Sequence, residues 1–199
     1  MTTITNGGDY ADMTFRDIDA EDTMLEGVRF EACTFRQCRF DRATFKDCRF
    51  RECEFIDCRL DLATIGGSLF ADVRFVDCRM LGIDWTRARW PSVQAPEALR
   101  FERCLLNDSS FFGLYLEGLR MLECRARDVD FTDADCADAD FAGTDLQDAT
   151  FRHTRLTGSH FVDAVNYRID IRQNDIRRAR FSLPEATSLL LGLDIELVE

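Results

Sequence analysis

A chain of 199 residues with 37 acidic and 25 basic side chains carries a formal net charge of −12, and its pI is near 4.7. That balance argues against gripping nucleic-acid phosphate or an anionic membrane, both of which call for a basic surface, and favours a basic partner. The opening MTTITNGGDYADM has no basic-then-apolar leader pattern and no apolar run reaches the ~20 residues that span a bilayer, so a cytoplasmic protein is expected.

Residues 1–9 read as a flexible N-terminus. From 10 to 90 the chain repeats every five residues. The period is weak at Tyr10 and Phe15, lapses at Ala20 and then holds: Leu25, Phe30, Phe35, Phe40, Phe45, Phe50, Phe55, Leu60, Ile65, Phe70, Phe75, Met80, Trp85, Trp90. Two residues before these stands a small or apolar one, such as Val28, Cys33, Cys38, Ala43, Cys48, Cys53 and Cys58. Five is neither the 3.6 of a helix face nor the 2 of a strand face. Fixed self-similarity of this kind marks a solenoid, whose units bury their apolar face only by stacking. The unit is small–polar–large–polar–polar. The large central residue is called i below.

Residues 91–100, PSVQAPEALR, interrupt the count. It resumes one residue out of phase at Phe101 and continues through Leu106, Phe111, Leu116, Met121, Ala126, Phe131, Cys136, Phe141, Leu146, Phe151, Leu156, Phe161, Asn166, Ile171, Ile176 and Phe181. Pro91 and Pro96 lie in the gap, and proline cannot donate a ladder hydrogen bond, so a bulge or skipped facet is predicted there. A small outward loop that touches a partner is the alternative. Asn166 is a polar residue at a core position and predicts a local distortion in AVNYRIDI. Residues 101–181 therefore form a second repeat segment. Residues 182–199 differ: Ser182 ahead of Pro184 and Glu185 is a helix-entry signature, with the helix ending near Gly192 and an extended tail after it. The tail is too apolar for a terminal cap alone. A two-fold homodimer is expected through Phe181, Leu189, Leu190, Leu193, Ile195 and Leu197.

No catalytic constellation or cofactor motif is visible, and an enzyme is not expected. His153 and His160 sit at outward positions with no placed nucleophile, and there is no Gly-rich phosphate loop. The nine Cys occupy repeat core positions, eight at i−2 and Cys136 at i, and read as free thiols filling the core. Acidity is uneven. Between Ala126 and Thr150, eight aspartates face Arg127 alone. Asp130, Asp135, Asp140 and Asp145 fall at i−1, where an Asp side chain bonds nearby backbone in turns. Asp128, Asp133, Asp138 and Asp148 fall at i+2, are freer of that duty, and are the candidate partner-contact residues.

The five-residue unit resembles the pentapeptide-repeat pattern. CTFRQCRF, FRECEFIDC, FERCLLNDSSFFGLYL, DAVNYRIDI, RARFSLPEA and LDIELV are similar to its topoisomerase-protecting, AlbG-like group, to which Qnr and MfpA are related. The resemblance implies an all-β fold: a right-handed quadrilateral β-helix of about eight coils, with four pentapeptides per coil. Residues twenty apart then stack, placing Cys38, Cys58 and Cys78 in one column and pairing Cys33 with Cys53 and Cys104 with Cys124. It also implies a tail-to-tail dimer that imitates duplex DNA, binds DNA gyrase and confers resistance to a gyrase poison, albicidin-like or quinolone. Two rods of about 40 Å would match roughly 23 base pairs. An adaptor solenoid with a non-gyrase partner is the alternative.

Overall fold

The computed structural model describes residues 4–90, 98–193 and 195. The chain winds as a four-sided β-solenoid of about eight coils. Every strand pair and isolated bridge is parallel, and the partner is the residue one coil on. Tyr10 faces Phe30, Phe15 faces Phe35, Asp19 faces Arg39 and Leu25 faces Phe45. One coil is therefore four pentapeptides.

Strands are short because each side holds one pentapeptide. The first face carries Asp9–Ala11, Arg29–Glu31, Arg49–Arg51 and Leu69–Ala71. The second carries Thr14–Arg16, Thr34–Arg36, Glu54–Ile56, Val73–Val76, Leu99–Glu102 and Arg120–Leu122. On the second face Phe15, Phe35, Phe55, Phe75 and Phe101 stack at centroid spacings of 5.1, 4.5, 4.9 and 5.3 Å. Neighbouring faces meet edge to face, as Phe30 does with Phe35 at 77°. Offset stacking and edge contacts each contribute about 0.5–1.5 kcal/mol beyond area burial.

The interruption changes the length of one coil step. Val73–Val76 pairs with Leu99–Glu102, a step of 26 instead of 20, after which the step of 20 returns. The one-residue phase shift in the sequence is thus six extra residues, one facet plus one. Residues 91–97 lie outside the described residues, so the predicted bulge or loop is not placed. The step has a further effect: it aligns Cys78 with Cys104, so the expected triplet and pair merge into one column of Cys38, Cys58, Cys78, Cys104 and Cys124. All nine cysteines are free and buried. Seven of their thiols donate to backbone carbonyls of the coil below, as Cys58 Sγ does to Phe35 O at 3.5 Å. Burial pushes the Cys53 thiol up to about 12.

Two sequence expectations need correction, and a third, at Asn166, is met. Residues 4–8 are held rather than frayed: Gly7 N–H bonds Glu26 O at 2.8 Å, Glu26 N–H bonds Asn6 Oδ1 at 3.0 Å, and Ile4 packs against the core. The period does not lapse at Ala20, which is buried in register; a small side chain merely hid it. Asn166 is exposed in a left-handed conformation (φ 62°), and Tyr167 and Ile169 turn into the core, leaving Ile171 half-buried. The predicted distortion is therefore present. It puts the amide where Nδ2 donates to Asp145 Oδ1 at 2.8 Å.

The terminal helix runs Glu185–Leu193 as a 3₁₀ helix, just past Gly192. Its entry is tied down by Ala186 N–H to Ser182 O at 3.1 Å, while Ser182 Oγ accepts from Asp163 N at 2.8 Å. Among the described residues no helix is long and apolar enough to cross a membrane.

Candidate interaction surface

A pentapeptide presents two kinds of outward position. Those at i−1 lie on a flat face; those at i+2 lie at a corner. The i−1 aspartates do what the sequence predicts: Asp130, Asp135 and Asp140 accept from the N–H two residues on at 2.9, 3.1 and 3.1 Å. Asp145 does so to Gln147 N at 3.2 Å, and although partly desolvated it is held below the usual carboxylate range by Asn166 and Arg127.

The i+2 aspartates also have a backbone reason to exist. Asp128, Asp133, Asp138 and Asp148 have φ of 55°, 58°, 53° and 57°. The corner of each pentapeptide turns through the left-handed region, which Gly tolerates best and which Asp and Asn enter more readily than most L residues. Gly113, Gly143 and Gly158 occupy the same corner position in neighbouring repeats. The carboxylates of the four aspartates are nonetheless exposed and make no backbone hydrogen bond among the described residues. Asp133 has His153 Nδ1 at 3.4 Å, and Asp148 accepts from Gln147 Nε2 at 3.2 Å.

The four do not form one patch. Successive pentapeptides occupy successive sides, so Asp128 and Asp148 share one corner, Asp133 stands at the next and Asp138 at the one after. The acidity is a belt around the rod. What the sequence reading missed is Asp108, which stands one coil before Asp128 at the same corner with φ 61°. Arithmetic in steps of twenty from Asp128 would have found it. Asp108, Asp128 and Asp148 thus make a ladder of exposed carboxylates at about 4.8 Å backbone spacing, with no cation paired to any of them among the described residues.

The ladder leads to the apolar end. Asp148 borders a cleft of about 420 Å³ shared with Asn166, Tyr167, Glu185 and Leu191. Burial pushes the Tyr167 phenol up to about 12. Of the residues predicted for a dimer seam, Phe181 is half-buried and stacks on Phe161 at 4.9 Å, and Leu189 packs against the core. Leu190 is half-buried, whereas Leu193 and Ile195 are exposed. Leu197 lies outside the described residues. Leu183 and Leu191, neither in the predicted set, are 81% and 72% exposed. The two histidines converge on no nucleophile, and among the described residues no cluster of three or more His, Cys, Asp or Glu is placed to hold a metal ion.

A model of the pentapeptide repeat region matches residues 28–111 and 96–161. The chain belongs to the pentapeptide-repeat family. Solved structures agree on the fold. A trypsin-treated variant of QnrB1, described as a plasmid-mediated fluoroquinolone resistance protein, superposes with a TM-score of 0.63 at 21% identity, covering 98% of this chain and 93% of its own. A second trypsin-treated QnrB1 variant gives 0.62 at 22%, covering 97% and 91%. HetL from the cyanobacterium Nostoc sp. strain PCC 7120, described as involved in heterocyst differentiation regulation, gives 0.56 at 12%, covering 88% and 85%. No curated protein sequence matches the chain.

Proposed function

We propose that this pentapeptide-repeat protein is a non-enzymatic, cytoplasmic, dimeric binder of DNA gyrase that imitates DNA and confers resistance to a gyrase-poisoning antibiotic. The observation that carries the reading is the Asp108–Asp128–Asp148 ladder. Like charges stacked one above another destabilise a sheet. Their retention in line on one corner, without an ion-paired cation among the described residues, is a cost to the rod that a basic partner surface offsets. The exposed Leu183, Leu191, Leu193 and Ile195 at the same end supply an apolar seam for a second copy. The likeness in fold to a fluoroquinolone resistance protein supports the direction of the reading, and the drug stays open between an albicidin-like compound and a quinolone.

The test is supercoiling and cleavage by purified gyrase with the protein titrated against albicidin and, separately, a fluoroquinolone. Rescue with either drug is expected. The D108N/D128N/D148N variant keeps left-handed corners and should bind gyrase at least tenfold more weakly, and wild-type binding should weaken steeply with salt. Unchanged binding by that variant removes the ladder from the contact. Absence of any gyrase effect returns the chain to an adaptor role. Leu191→Asp or Ile195→Asp should give monomers in analytical ultracentrifugation; a persisting dimer moves the seam elsewhere.

A further inference from the structure

The less acidic, N-terminal half of the rod contains a cleft that the gyrase reading does not use. It has a volume of about 330 Å³ and opens on the first face. Arg49, Arg51 and Arg89 line it together with Asp47, Gly67 and Leu69. The solenoid places these groups. Arg49 and Arg51 flank the buried Phe50 in one strand, so both point outward. Leu69 pairs with Arg49 one coil on, and Arg89 N–H bonds Ser68 O at 2.7 Å, which sets Arg89 in the coil beyond. Arg49 and Arg89 are thus two coil spacings apart, about 10 Å at the backbone. The shorter Leu69 between them leaves a gap that two guanidinium groups reach across.

Several arginines on this rod are neutralised from the adjacent coil, as Arg29 is by Asp9, Arg74 by Glu54 and Arg155 by Asp135. The three in the cleft are not. None makes an ion pair or a side-chain hydrogen bond among the described residues, even though Glu31 stands in register with Arg51. Asp47 packs over the bare corner of Gly67, where a Cβ would lie 2.3 Å from its Oδ1. Among the residues that line the cleft, three guanidinium groups face one carboxylate, on a chain of −12.

We infer that this cleft binds the phosphate group of a small phosphomonoester or diphosphate. A phosphomonoester carries about −1.5 to −2 near neutrality and presents three acceptor oxygens, matching the surplus charge and the number of guanidinium donors. A carboxylate is satisfied by one bidentate arginine and leaves two unused. A long polyanion is repelled by the rest of the surface, which restricts the ligand to one whose charge fits inside the cleft.

The experiment is calorimetric titration of the full chain with inorganic phosphate, pyrophosphate and ADP, with sulfate as a control, from about pH 5 to pH 8. Saturable one-site binding of pyrophosphate or ADP is expected. Phosphate affinity should rise as pH passes the ligand's second ionisation at about 6, while sulfate, already a dianion, should show no such rise. R51Q/R89Q should weaken binding at least tenfold with an unchanged circular dichroism spectrum. Arg155→Gln, on the same face but outside the cleft, should leave it unaltered. Binding that survives R51Q/R89Q, or no saturable binding of any phosphate, overturns the inference. So does binding confined to 5′-phosphorylated duplex DNA, which would assign the cleft to nucleic acid.

Discussion

One corner of the solenoid reads differently in its two halves. Near the N-terminus Asp22 is followed one coil later by Arg42, whose Nε donates to Asp22 Oδ1 at 2.8 Å and whose guanidinium also reaches Glu21. Near the C-terminus the same corner reads Asp108, Asp128, Asp148 with no cation between them. The backbone is the same in both, with φ of 55° at Asp22, Arg42 and Asp128. Local conformation therefore does not dictate the sign of the corner. At this corner the first half answers Asp22 with Arg42, and the second stacks three carboxylates. Such a departure from local consistency is where a surface is expected to serve something other than the fold.

The largest way to break the comparison is through the core beneath. Phe50 lies between Phe30 and Phe70, stacked at 5.1 and 5.0 Å, while the same column holds Cys136 in the second half. Phe50→Ala should cost about 3–5 kcal/mol in urea denaturation and Cys136→Ala no more than about 1 kcal/mol. Equal costs would mean the aromatic stacks do not make the halves different.

Acid should act next. The hydrogen-bonded Arg74 holds Glu102 below the usual carboxylate range, and Asn166 and Arg127 hold Asp145 there despite partial desolvation. A depressed carboxyl contributes stability that is complete above its unfolded pKa of about 4 and lost as pH falls through the folded value. The urea midpoint should therefore drop below about pH 4, and Glu102→Gln or Asp145→Asn should flatten that limb. The smallest effect is at the corner itself: Arg42→Asp should destabilise, and Asp128→Asn stabilise, by a few tenths to about 1 kcal/mol, both fading in high salt. If Asp128→Asn leaves the thermal midpoint at low salt unmoved, the ladder carries no strain.

The fold was legible because a period of five has no competitor among helices and strands. The i−1 aspartates were legible too, since Asp130, Asp135 and Asp140 act on their own backbone, which is a local matter. What a linear reading concealed lies across coils. Asp128, Asp133 and Asp138 look like neighbours in sequence but sit at three different corners, while Asp108 and Asp128 look distant and stack. Nor does composition reveal that i+2 turns left-handed, because Arg42 and Leu62 adopt that conformation as readily as Asp. At the end of the rod Tyr167 and Ile169 displaced Asn166 and Ile171 from the core, an exchange the five-residue count flags at Asn166 without saying what replaces it.

The six additional residues between the strands Val73–Val76 and Leu99–Glu102 bear on how such a rod changes over time. Lengthening the connection from a 20-residue to a 26-residue return costs only (3/2)RT ln(26/20), about 0.2 kcal/mol of loop entropy. The stack above resumes undisturbed, with Phe75 on Phe101 and Trp85 on Phe111 at 5.3 and 5.7 Å. The connection between these two strands is thus a permissive site for trying new sequence. Insertions there can be gained, enlarged or discarded without renegotiating the core.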